Sequence, residues 1–299
     1  MKVSAVILTR NGERDLEELL QRLEDQTVRP DEILVIDSSS TDRTASIVGQ
    51  HPAIRFLRIP EESFNHGGTR RLAISETDGE LVLFMTQDAI PANNEMIACL
   101  IASLSADDRI VAAYARQIPR GDASPREKLV RQFNYPDQSH IQSLDDLETQ
   151  GIKTFFLSDV CAMYRRNLYD QLGGFEQDVL SNEDMLFAAK AIQQGYPVAY
   201  AAEAQVVHSH NLSLREQYRR NRVQGYEIAK HQDLLGRKTA SPAGMKMLKE
   251  VSVCLIRQGR LFSVMGLLMD CLARFMGNRA GQRTFHRQRR IRIQTGVEA

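Results

Sequence analysis

Cysteine is scarce: four in 299 residues (Cys99, Cys161, Cys254 and Cys271), scattered and with no C-x-x-C pair. That spacing excludes a disulfide framework, and reduced thiols in a cytosolic protein are the default expectation. Net charge is lacking too. Thirty-eight basic and 38 acidic residues cancel, so no global field points to a nucleic acid partner. No run approaches the roughly 20 apolar residues of a membrane span; the charge-free stretch Leu261 to Met269 is closed by Arg260 and Asp270. The opening MKVSAVILT is too short an apolar run for a signal peptide and has no small-residue cleavage site. The expectation is a soluble chain, or at most one bound to a membrane surface. A strand followed by G-x-G-x-x-G and the G-K-[ST] loop are also missing, which removes dehydrogenases and P-loop enzymes.

What is present is apolar mass, 42% of the chain, enough for a large core and against disorder, collagen or coiled coil. The length is about two average domains, although one α/β domain reaches about 250 residues. Charge is unevenly placed. From residue 241 onward there are 11 basic and 3 acidic residues, which leaves 27 against 35 in residues 1–240. An acidic body, 1–240, and a basic amphipathic helical tail, 241–299, are therefore expected.

Within the body, Val3 to Leu8 reads as a strand buried on both faces. Glu13 to Asp25 carries leucines at helical spacing. Strands are expected at Glu32–Ile36, Ile54–Ile59, Glu80–Met85 and Ile110–Ala115. Between them fall a short helix capped by Ser40 or Thr41 and helices over Gly67–Glu76 and Asn93–Leu104. This alternation predicts an α/β fold with a doubly wound, mostly parallel sheet. Residues 117–152 read as a polar insertion or loop. Thr154–Tyr164 then reads as strand, Gly173-Gly174-Phe175 as a turn, Asn182–Gln194 as helix, Val198–Val207 as strand and Leu214–Leu235 as a polar helix.

Ligands of open α/β sheets bind beyond the carboxyl ends of strands, and four successive strand ends here are polar, glycine-rich or acidic. They read Thr9-Arg10-Asn11-Gly12, Asp37-Ser38-Ser39-Ser40-Thr41-Asp42, Phe64-Asn65-His66-Gly67-Gly68-Thr69-Arg70 and Thr86-Gln87-Asp88-Ala89. Asp37 can accept the imide N–H of a uracil or thymine. The His66-Gly67 turn opens a helix whose amides favour a diphosphate, and Arg70 adds a bidentate donor. Asp88 is a hard carboxylate suited to Mg²⁺ or Mn²⁺.

The ordered set TRNG, VIDSSSTD, FNHGGTR, FMTQDA, GGF, NEDM and HSH resembles the family 2 glycosyltransferases of GT-A type fold. FNHGGTR, TQDAIP and KTFFLSDVCAMYRR look most like the bacterial rhamnosyltransferase branch, and the resemblance covers about residues 2–225. It implies a metal-dependent, inverting transferase that moves a sugar from a nucleoside-diphosphate donor, rhamnose from dTDP-rhamnose or another dTDP- or UDP-sugar. The acceptor would be a hydroxyl of a glycan or polyprenyl-linked molecule in cell-surface polysaccharide synthesis. The resemblance places Thr9, Asn11, Asp37 and Asp42 around the nucleotide, with His66, Gly67, Arg70 and Gln87 towards the diphosphate. Asp88 becomes the metal-binding acid, His208 a further metal or diphosphate contact, and Asp184 the catalytic base. Glu183 and Gly174 would lie on the acceptor side. Thr86 stands where a first aspartate is common, which implies a weaker metal site, and Arg71 stands where an asparagine often follows the arginine.

Each residue also has a plainer reading. Glu183-Asp184 is an acidic pair at a helix start, Phe175 is core, and His208 and His210, two apart, would point opposite ways at a strand end without forming a zinc motif. A nucleotidyltransferase would need its glycine-rich loop after the first strand. The rival from another class is an inactive, glycosyltransferase-like scaffold. In the tail, Val251, Leu255, Phe262, Met265, Met269, Leu272 and Met276 form a helical stripe ahead of the basic 286–292 run. The stripe would pack on the body or a dimer partner, or lie on anionic lipid at the inner face of the cytoplasmic membrane. RNA binding is the weakest reading, since aromatics do not interleave with the arginines.

Overall fold

The computed structural model describes residues 1–236 and 242–294, so the expected boundary at 240–241 lies outside the described residues. In chain order the strands are β1 (Val3–Thr9), β2 (Glu32–Asp37), β3 (Arg55–Arg58), β4 (Leu81–Thr86), β5 (Ile90–Pro91), β6 (Ala112–Ile118), β7 (His140–Gln142), β8 (Cys161–Arg165) and β9 (Val198–Val207). The helices of the body are α1 (Leu16–Glu24), α2 (Thr44–Val48), α3 (His66–Ser75), α4 (Met96–Leu104), α5 (Pro125–Asn134), α6 (Leu147–Gln150), α7 (Arg166–Gln171), α8 (Glu183–Gln193), α9 (Leu214–Lys230) and α10 (Gln232–Leu235). The tail forms α11 (Pro242–Arg257) and α12 (Leu261–Gln294).

One nine-stranded sheet runs β3-β2-β1-β4-β8-β6-β9-β5, with β7 also paired to β9. β1, β2, β3 and β4 are parallel, β8 enters antiparallel between β4 and β6, and β6 and β9 are parallel. Strand alternation feeds two cores. Val3, Ala5 and Ile7 pack under α1 and α4, while Val6 faces α3, α7 and α8 on the other side. The result is the three-layer, mostly parallel α/β arrangement expected.

Three local expectations need correction. Thr154–Tyr164 is not one strand: a 3₁₀ turn covers Gly151–Phe155 and β8 begins only at Cys161. Neither Ser40 nor Thr41 caps α2. The N-cap position is Arg43, without a side-chain cap, and Asp42 ahead of it accepts at Oδ1 from the Thr44 amide (3.0 Å) and hydroxyl. The 117–152 region is built rather than loose. It holds α5, capped by Ser124, and β7.

The tail stripe is divided. Val251 and Leu255 are buried with Val130 of α5, yet Phe262, Met265, Met269, Leu272 and Met276 all face solvent.

α3 is docked tightly on the segment leading to α8. Arg71 donates to the carbonyls of Gly173 (2.6 Å) and Phe175 (3.0 Å), so the unexpected arginine is a structural pin. Gly174 sits at φ 67°, where any Cβ would press on the Tyr169 ring, and Gly67 lies against the Glu176 carbonyl. A Cβ at position 67 would fall 1.8 Å from that oxygen. Gly67→Ala is therefore expected to destabilise the fold by about 1–3 kcal/mol, read as a lower urea midpoint; an unchanged midpoint would refute the close docking.

Candidate active site

The carboxyl ends of β1, β4, β6 and β9 converge on two neighbouring clefts. The first, about 310 Å³, is lined by Asn11, Gly12, Gln87, Asp88, Arg120 and His210, among others. The second, about 270 Å³, is lined by His66, Thr86, Asp159, Asp184, His208 and Arg220, among others.

Between them stands a three-residue cluster. Asp88 Oδ2 lies 3.5 Å from His208 Nε2 and 3.2 Å from His210 Nε2, and one ligand atom from each falls within 4.8 Å of the others. Gln117 Oε1 accepts from His208 Nδ1 at 3.0 Å, which orients the ring with Nε2 towards Asp88. Burial works to raise the Asp88 pKa, but the His208 hydrogen bond and both histidine charges outweigh it and hold the carboxyl well below its ordinary range. One carboxylate and two imidazoles suit a divalent cation, and the nitrogen donors favour Mn²⁺ over Mg²⁺. The alternation expected for His208 and His210 fails because β9 ends at Val207, so both rings turn towards Asp88 and meet edge to face at 4.7 Å.

In the second cleft, Asp184 opens α8. Its Oδ1 accepts from the Met185 amide (2.7 Å) and its Oδ2 from the Asp159 amide (3.2 Å). Burial, then the charges of Glu183 and Asp159, push its pKa well above the ordinary 3.8, the direction that makes a stronger base.

Arg70, expected at the diphosphate, lines the second cleft but is held by two carboxylates. It is 4% exposed, with Nε 2.8 Å from Asp159 and Nη1 2.9 Å from Glu183. Burial disfavours its charge, and the two carboxylates more than restore it. Glu183, which also lines this cleft, is thereby paired with Arg70. Gly174 lies away from the Asp184 cleft in its own turn, and Phe175 is core, packed against Phe84 and Tyr164.

The remaining expected residues shape loops. Gln87 accepts from Thr9 Oγ1 (2.6 Å) and the Arg10 amide (2.7 Å), tying the β1 and β4 ends together. Asn11, at φ 50°, accepts from the Thr41 amide (3.0 Å). Asp37 is buried and spends both oxygens on Ser40, so reaching a nucleobase imide would require Ser40 to yield. Asp42 accepts from Thr44 and the Glu13 amide; these bonds outweigh burial and lower its pKa. Asn65, whose Oδ1 accepts from the Gly68 amide, already caps α3, so that amide is not open to a phosphate.

Sequence reasoning missed Asp159, Gln117, Arg131 and Arg220. Gln117 and Arg131 lay in the supposed insertion, Asp159 inside the supposed strand, and Arg220 on a helix read only as polar. His210 was seen without its partner.

The sequence profile of glycosyl transferase family 2 matches residues 4–173. The chain belongs to that family. This family 2 member is 42% identical over 221 residues to O-antigen chain rhamnosyltransferase RfbN of Salmonella typhimurium, covering 74% of this chain and 70% of that protein. It is 42% identical over 196 residues to O-antigen chain rhamnosyltransferase WbaN of Salmonella anatum, covering 65% and 62%. These two place it in a rhamnosyltransferase-like branch. The mannosyltransferase PcManGT of Pyrobaculum calidifontis, solved with GDP-Man and Mn²⁺, superposes with a TM-score of 0.60 at 18% identity over 93% of this chain and 86% of that one. The GT-A type fold of this family 2 glycosyltransferase is thus established.

Two outcomes follow. Arg70→Ala leaves two carboxylates buried without their cation, and about 3–5 kcal/mol of stability should be lost, measured by chemical denaturation. Asp184 has a raised pKa, so the folded state binds more protons than the unfolded one above pH 3.8 and stability falls as pH rises through that window. Asp184→Asn should therefore raise Tm at neutral pH, with the gain fading towards pH 4; a lower Tm at pH 7 would contradict the burial.

Proposed function

We propose that this glycosyltransferase moves rhamnose from dTDP-rhamnose, with inversion, to a hydroxyl of a glycan or polyprenyl-linked acceptor in cell-surface polysaccharide synthesis. The observation that carries the reading is the Asp88–His208–His210 cluster as the shared wall of two clefts, one at the nucleotide side and one holding Asp184. The sugar is supported by the 42% identity to two O-antigen rhamnosyltransferases. On this reading the enzyme works in the cytoplasm, beside the inner face of the membrane that carries a lipid-linked acceptor.

Asp184 takes the proton of the acceptor hydroxyl as that oxygen bonds to the anomeric carbon. The bond from that carbon to the β-phosphate oxygen breaks on the opposite side, so one displacement inverts the centre. A divalent cation, Mn²⁺ by its donor set, would neutralise charge on the departing diphosphate when held by Asp88, His208 and His210. Besides Arg70, which is paired with Asp159 and Glu183, the clefts present Arg131 and Arg220 on one side and Arg14 and Arg120 on the other, with Arg131 held by Glu127 and Arg120 by Asp15. Gln117 also accepts from Arg131, so one amide orients both a histidine and an arginine. Three convergent ligands beside Thr86 support a working metal site and weigh against the inactive-scaffold reading.

Thermal shift with dTDP, UDP and GDP, each with Mn²⁺, Mg²⁺ or EDTA, tests the donor site. Nucleotide at about 100 times its Kd adds about 2.7 kcal/mol; a dTDP shift that requires Mn²⁺ is expected, and Asp88→Ala should remove it. Asp184→Asn should keep that shift while turnover of dTDP-rhamnose drops about 10²–10⁴-fold. Unaltered turnover would overturn the assignment of the base.

A further inference from the structure

We propose that the outer face of α12 lies on an anionic lipid bilayer, in the plane of the interface and not across it. α12 has two opposite faces. On one, Leu267 and Asp270 are buried, and the glycines at 277 and 281 let the α9 backbone approach; a Cβ there would fall 2.3 Å from the Tyr218 carbonyl and 2.0 Å from the Arg222 carbonyl. On the other, Leu261, Met265, Leu268, Leu272 and Phe275 recur three or four residues apart, every one exposed. The same line continues through exposed Arg279, Arg283, Arg287 and Arg290. Phe262, beside it, is 97% exposed.

A contiguous exposed apolar strip of this length marks an interaction surface, and its charge selects the occupant. The arginines require negative partners on the same line as the apolar side chains. An anionic bilayer supplies acyl chain and headgroup together, whereas a second copy of the chain brings the same arginines.

Leu261–Arg292 is long and apolar enough, by length and composition, to cross a membrane, although Asp270 interrupts its charge-free run. A helix that spans must have either lipid or other membrane-embedded helices around it, and α9, rich in arginine and glutamate, cannot enter the hydrocarbon with it. Here one side is held by α9 and carries the Asp270–Arg274 ion pair at 2.8 Å, so the helix rests on the surface. The inference rests on the proposed reaction only in giving the lipid surface a purpose, delivery of a lipid-linked acceptor.

The test is co-sedimentation of the full chain with phosphatidylcholine vesicles, with and without phosphatidylglycerol. Binding to the anionic vesicles alone, weakened by salt and about fivefold by each of Arg287→Ser and Arg290→Ser, is expected. Phe262→Glu with Met265→Glu should abolish it while the nucleotide thermal shift stays as in the unaltered chain. No binding to anionic vesicles, binding that survives the double glutamate change, or a concentration-dependent dimer that this change dissociates would each overturn the proposal. A nucleotide shift absent from the unaltered chain would count against the transferase reading alone.

Discussion

The candidate active site depends on one buried cation. Arg70 stands on α3 and meets Asp159, just ahead of β8, and Glu183, at the first turn of α8. Three segments far apart in sequence are thereby held at one point beneath the Asp184 cleft. Asp159 also accepts from the Tyr164 hydroxyl, and burial with the Glu183 charge pushes its pKa up to about 6 against the opposing pull of Arg70. Burial does most to raise the basicity of Asp184, and two carboxylates around one guanidinium leave negative charge beside it that adds to the effect. The arginine is needed for position and for charge at once, and a lysine could not fork to both acids.

The frame of the fold was legible in the sequence because it rests on local pattern. Apolar β-branched runs such as Val3–Thr9 and leucines at helical spacing in α1 declare themselves without distant partners. Asp88 and Asp184 were legible as well, since each follows a recognisable break in pattern. Partnership was not. Arg70 in a glycine-rich turn looks like an anion donor until Asp159 and Glu183 are seen around it, and Asp37 looks open until Ser40 occupies it. Tertiary contact decided these roles, and contact across the chain leaves no periodic trace.

The tail illustrates the same limit from the other side. Its stripe was visible, but the direction it faces was not, because backbone approach at the α12 glycines chose the opposite face for packing. His210 shows the limit at a single residue. A period of two would have sent it away from His208, and the end of β9 at Val207 sent it inward.

The order of the sheet gives the family boundary a meaning. The family match ends at residue 173, before Asp184, His208 and His210, and before β9, which lies between β6 and β5. A chain stopped there would keep Asp88 but leave β6 with an open row of unpaired amides and carbonyls, a template for joining other chains edge to edge. The strand that completes the sheet ends at Val207, directly before the two histidines that face Asp88. The same stretch of chain therefore protects the molecule from self-association and equips it for chemistry.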